Sequence, residues 1–157
     1  MGILENLFGS RKTTNTQQSS QNVRASQAEV MAKCMAAVRA YQEHDFKQAA
    51  RFFAEYFEMK GYGRFPQLDM DDYRMYINLM LSQFYSQDYN SCLKTCEKIS
   101  KLEPRKGDSY AFRALCLLKL GNASEADHYW EKSKTYGCDL SSHFDNVRDV
   151  KMQGFNN

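Results

Sequence analysis

Cys92 and Cys96 stand one helical turn apart, and together with His128 or His143 they come nearest in this sequence to a set of soft-metal ligands. Structural zinc sites usually place two cysteines two to four residues apart and follow them with a second matching pair. That second pair is missing, and a free cysteine on a packed helix face behaves as a small hydrophobe. A cysteine nucleophile would need a histidine base brought close in space. His44, His128 and His143 are available, but none lies in a recognisable motif, and His44 sits beside a helix start where a polar turn residue is expected. Gly61-Tyr-Gly63 is a lone G-x-G with no following G-K-S or G-x-x-G, so a turn explains it better than a phosphate loop. Asp69, Asp71 and Asp72 lack the alternating oxygen ligands, central glycine and terminal glutamate of a calcium loop. Acidic residues at a helix start favour the positive end of the helix dipole, which accounts for them. No catalytic, cofactor or metal constellation is therefore expected.

The elements that would have to position such groups are bounded by composition. The chain has 157 residues, a net charge of +2, and 25% charged residues with both signs interspersed, so it lacks the basic footprint that neutralises a phosphate backbone. No nucleic acid is expected as a partner. No stretch approaches the roughly 18 apolar residues needed to cross a bilayer, and the N-terminus lacks the pattern of a signal peptide. Together with five cysteines, an odd number spread over predicted helices, this points to a cytoplasmic protein without a transmembrane segment. In that setting the Asn122-Ala-Ser124 sequon means only a helix start. With only two prolines, Pro66 and Pro104, and abundant Leu, Met, Ala, Lys and Glu, the expected fold class is all-α.

Residues 1–27 read as a tail. Residues 9–27 are almost devoid of large apolar side chains and are expected to be a flexible linker, preceded by Ile3, Leu4, Leu7 and Phe8 at helical spacing within an apolar segment over 3–8. The domain itself is expected over 28–157. Within it, three helix starts align on Asp45, Asp88 and Asn122. Four residues after each comes a small side chain (Ala49, Cys92, Ala126), and eight after comes Phe53, Cys96 or Trp130. Gln48, Ser91 and Glu125 stand three after, the arrangement in which a side-chain oxygen satisfies an amide left free in the first turn. Asp88 and Asn122 are 34 residues apart, and Asp45 and Asp88 are 43. The longer interval holds Gly61-Tyr-Gly-Arg-Phe-Pro66, where Gly61 can end a helix in the left-handed conformation and Pro66 cannot continue one. After Gly137, Phe144, Val147 and Val150 within 141–152 are spaced as a helix capping the end of a stack.

The sequence here resembles the tetratricopeptide repeat (TPR) family, whose period is about 34 residues. The similarity is best over residues 107–138, through Tyr110, Ala114, Gly121, Ala126 and Trp130. The second repeat carries Tyr76, Leu79, Asp88, Tyr89 and Pro104, with Gln87 where the family has its glycine turn. The first keeps Ala37, Asp45, Phe46, Ala49 and Phe53 but has Lys33 at an aromatic position; Gln83 and Arg113 likewise stand at positions that are usually apolar. The resemblance implies three helix-turn-helix pairs in a right-handed superhelical stack with a C-terminal capping helix.

It also implies a concave groove lined by the first helix of each pair. Tyr41 would come from the first pair, and Arg74, Ile77, Asn78, Leu81, Phe84 and Tyr85 from the second. Leu115, Leu118 and Lys119 would come from the third. For Ile77 and Leu115 a place in the core is an equal alternative. The expected function is a non-catalytic scaffold that holds a protein or peptide segment against this apolar and aromatic wall. Of the groove residues with which related co-chaperones clamp a C-terminal carboxylate, only Asn78 is matched; Cys34, Val38, Asp108 and Phe112 fill the other places. That counts against a heat-shock co-chaperone role. The alternatives are self-assembly, as a homo-oligomer or with the groove taken by the chain's own N-terminal segment, and a metal- or cysteine-dependent enzyme.

Overall fold

The computed structural model of the chain describes residues 25–61 and 70–138. The apolar segment over 3–8, Asp69, the turn at Pro66, His143 and the capping helix expected over 141–152 lie outside the described residues. Six helices follow one another: α1 (Gln27–Gln42), α2 (Phe46–Lys60), α3 (Met70–Tyr85), α4 (Tyr89–Leu102), α5 (Gly107–Lys119) and α6 (Ala123–Thr135). With no strand among the described residues, the fold is all-α.

Each helix starts and stops for local reasons. Ser26 opens α1 with a reciprocal capping box. Its hydroxyl accepts from the Glu29 N–H at 3.3 Å, and the Glu29 carboxylate accepts from the Ser26 N–H at 2.7 Å. Gln27, expected in the linker, is thereby drawn into the helix. Asp45, Asp88 and Asn122 cap α2, α4 and α6 by accepting from the N–H groups of Gln48, Ser91 and Glu125 at 3.1, 3.1 and 3.3 Å. Gly61 ends α2 at φ 68°.

The turns inside the three pairs are copies of one another. His44, Gln87 and Gly121 all take the left-handed conformation, at φ 60°, 63° and 83°. Their N–H groups donate to Tyr41, Phe84 and Leu118, while the next residues, Asp45, Asp88 and Asn122, donate to Ala40, Gln83 and Leu117. This is the Schellman closure, and the residue that completes it for one helix is also the cap of the next. One turn thus satisfies orphan groups on both helices, and only one residue at each joint bears an unusual backbone. In the first two pairs an aromatic contact reinforces it: Tyr41 meets Phe46 edge-on at 5.7 Å, and Phe84 meets Tyr89 at 5.6 Å.

The small residues of the repeat pattern lie where helices touch. Ala49, Cys92 and Ala126 are all 0% exposed, and Phe53, Cys96 and Trp130 are buried one turn further on. Each helix packs on the next in sequence, and α3 also packs on α5. Gly107 marks a close approach. A Cβ there would come within 2.5 Å of Cys138 Cβ and 2.7 Å of the Ser133 carbonyl, so the start of α5 meets the end of α6 only because the side chain is absent.

Lys33, Arg113 and Gln83, polar where the resemblance implies apolar or aromatic side chains, differ in their surroundings. Lys33 bridges α1 to α2 through Glu55 at 2.6 Å and lies over the Phe52 ring. Arg113 lies over the Tyr129 ring at 4.1 Å, and its Nη2 stands 3.6 Å from Glu125. Gln83 is buried with no hydrogen-bond partner for its Oε1 among the described residues, while its backbone carbonyl serves the α3–α4 joint.

Candidate partner-binding surface

α3 lies between α2, α4 and α5 and is buried nearly all round. Apart from half-buried Met75, the residues that keep surface are Met70, Asp71, Arg74, Asn78 and Tyr85. Four of these, Met70, Arg74, Asn78 and Tyr85, recur at intervals of four, four and seven, which is one strip of a helix. Arg74 is the charged member of that strip. Its contact with Asp71 is long, at 4.0 Å, between side chains 72% and 92% exposed, so it holds the guanidinium weakly.

The ten residues expected along a groove divide accordingly. Ile77, Leu81, Phe84 and Leu115 are 7%, 3%, 5% and 0% exposed and belong to the core. The helical stripe that carries them is the packing stripe, so they have little surface to offer a partner. Arg74 and Lys119 are exposed, and Tyr41, Asn78, Tyr85 and Leu118 are half-buried. Tyr85 stacks on Phe46 at 4.8 Å, and Phe46 in turn meets Tyr41 at 5.7 Å. Aromatic rings from α1, α2 and α3 therefore run together at the joint end of the first two pairs.

Two groups of polar side chains fasten the helix ends. Asp72, 1% exposed, accepts from Tyr56 Oη at 2.6 Å and from Lys60 Nζ at 2.7 and 2.8 Å. Burial and the Asp72 carboxylate hold the Tyr56 phenol well above its ordinary range. Desolvation works against the Lys60 charge, but hydrogen bonds to Asp72 and Tyr56 outweigh it and raise the ammonium. Beside this group, Tyr73 donates to Asp108 Oδ2, and Cys138 Sγ lies 3.7 Å from Asp108 Oδ1. The helix-dipole explanation of Asp72 was thus incomplete. The available signal was Tyr56 and Lys60, a donor pair one turn apart on α2.

Three of the five cysteines are buried. Cys92, Cys96 and Cys116 are 0%, 1% and 0% exposed, and Cys96 Sγ lies 3.5 Å from Met80 Sδ. The hydrogen bond with Cys92, followed by burial, pushes the Cys116 thiol far up. For Cys92 the hydrogen bond from Cys116 favours the thiolate, but the contact with Cys96 and burial outweigh it and the thiol is raised. The thiolate that nucleophilic chemistry requires is disfavoured at both. His128 is exposed with its ring 5.2 Å from Tyr129, and His44 serves a joint. Among the described residues no three or more His, Cys, Asp or Glu side chains are grouped to hold a metal ion, and no helix is long and apolar enough to cross a membrane. No known protein family, curated protein or solved structure matches the chain.

Proposed function

We propose that the chain is a non-catalytic, cytoplasmic scaffold of the tetratricopeptide kind, stacked as a right-handed superhelix, which holds a protein or peptide segment along the first helices of its pairs. The observation that carries this reading is the α3 strip of Met70, Arg74, Asn78 and Tyr85, left at the surface of a helix otherwise buried. A guanidinium and an amide one turn apart, with a phenol ring two turns further on, offer polar handles beside apolar contact, the composition of a peptide-binding wall rather than of a reaction centre. The exposed ammonium of Lys119 on α5 adds a second positive charge, so the favoured segment is apolar with acidic residues.

Peptides selected from a random library against the full chain test the proposal. Their affinity is expected to fall for Arg74→Ala and Tyr85→Ala and to hold for Lys94→Ala, on the exposed side of α4. Selected peptides that bind all three variants as tightly as the parent would place recognition elsewhere and end the proposal.

A further inference from the structure

α1 is the least buried helix of the stack. Only Ala37 and Ala40 are buried, while Met31 and Met35 are 57% and 60% exposed. These methionines and Val38 stand at intervals of four and three, so the apolar stripe of α1 is wider than the surface that α2 covers. The stripe continues onto α3, because Cys34 Sγ, between the two methionines in sequence, lies 3.8 Å from Met75 Sδ. Arg74, the residue before Met75 in sequence, is an exposed and weakly held positive charge on the same helix. Methionine is the side chain best able to mould itself to an apolar visitor.

We propose that this face is the docking site of the chain's own N-terminal segment, Ile3-Leu4-Glu5-Asn6-Leu7-Phe8, bound in cis. Ile3, Leu4, Leu7 and Phe8 stand at helical spacing with Glu5 among them, an apolar group with one acidic residue, which suits an apolar patch with Arg74 on the neighbouring helix. The tether is sufficient. Residues 9–25 have the composition of a random coil, and about 17 such residues span roughly 21 to 25 Å, whereas Met35 lies only about 14 Å along α1 from Ser26. The occupant is thus always present at high local concentration. The proposal goes beyond partner binding on the α3 strip and shares only Arg74 with it; oxidation of Met31 and Met35 keeps the two apart, since it reads coverage of α1 whether or not the strip takes a peptide.

Peroxide oxidation of methionine, followed residue by residue by mass spectrometry on the full chain, reads the coverage directly. Leu4→Asp with Leu7→Asp removes the docking segment without touching α1 to α6, and its helix content is expected to equal the parent's. With an effective concentration in the millimolar range, even weak docking keeps the face covered, so Met31 and Met35 are expected to oxidise roughly fivefold faster in this variant. The parent's protection is expected to stay constant over a hundredfold change in protein concentration. A partial loss in Glu5→Lys, restored by Arg74→Glu, is the expected mark of the charge contact. Equal oxidation rates in the parent and the double variant would overturn the proposal. So would protection that grows with concentration, which would assign the face to a second copy of the chain.

Discussion

Lys60 Nζ stands 2.7 Å from one oxygen of Asp72 and 2.8 Å from the other, closing a charged contact between the end of α2 and the start of α3 around a carboxylate that is 1% exposed. The two partners are not equivalent, because the Lys60 side chain is 29% exposed and can turn its ammonium to water. Asp72→Asn keeps an acceptor for Tyr56 and frees a lysine that can be solvated, so a loss of about 1–3 kcal/mol is expected. Lys60→Met takes the ammonium away from a buried carboxylate, for which about 3–5 kcal/mol is expected. Urea denaturation of both variants checks the order. A Lys60→Met loss near zero would mean that the ammonium contributes nothing to holding the carboxylate.

Alkali should attack the same region. Burial, aided by the Asp72 and Asp108 carboxylates, raises the phenols of Tyr56, Tyr73 and Tyr76 above their ordinary value of 10, with Tyr76 pushed up to about 12. The unfolded chain releases these protons first, so the stability they contribute is complete below pH 10 and declines as pH rises toward the folded values. The raised Lys60 ammonium acts with the same sign above its ordinary 10.5. The denaturation midpoint is expected to fall steeply from pH 10 to 12. The difference in phenolate absorbance between the parent and Tyr76→Phe should appear only near pH 12 or with the loss of helix. A step at pH 10 with the helices intact would mean that Tyr76 is open to water.

The three joints provide a comparison within one molecule. His44 and Gln87 carry the left-handed conformation that Gly121 adopts without a side chain. That conformation costs a non-glycine residue roughly 1–2 kcal/mol, of which glycine returns part as greater entropy in the unfolded chain. His44→Gly and Gln87→Gly are each expected to stabilise by about 0.5–1 kcal/mol, and Gly121→Ala to destabilise by a similar amount. Thermal melts of the three variants settle the signs. A destabilised Gln87→Gly would show that the glutamine side chain, rather than the backbone bend, holds that joint.

What the sequence made legible follows the same division. Asp45, Asp88 and Asn122 were readable because a helix start is a local event in which a few side chains satisfy a few amides. Ala49, Cys92 and Ala126 were readable because a small residue recurring at a fixed offset from those starts marks a helix contact. The residues of α3 were less so. Periodicity gives the direction of a side chain but not how many neighbours surround the helix, and α3 has neighbours on nearly every side. Ile77, Leu81 and Phe84 therefore lie in the core although they fall close to the same stripe as Arg74 and Asn78. Asp72 was missed for a related reason, since its partners on α2 are joined to it only by the packing of two helices.

Phe84 and Tyr85 separate core from binding surface at adjacent positions. Phe84 is 5% exposed and meets Tyr89 at 5.6 Å, so truncating it opens a cavity at the α3–α4 joint. Phe84→Ala is expected to cost about 3–5 kcal/mol of folding free energy. Tyr85 is half-buried and stacked on Phe46 at 4.8 Å, an aromatic pair worth about 1 kcal/mol beyond its area, so Tyr85→Ala should remain folded. If Tyr85 anchors a partner segment, its truncation should cost about 2 kcal/mol of binding, close to a thirtyfold loss of affinity. Arg74→Ala, at an exposed site, should change stability by less than about 0.5 kcal/mol while lowering both the affinity and its dependence on salt. Melting temperature and affinity must be measured on the same preparations. Should Tyr85→Ala lower the melting temperature as far as Phe84→Ala and leave the affinity of the folded fraction unchanged, Tyr85 belongs to the core and the α3 strip loses its aromatic anchor.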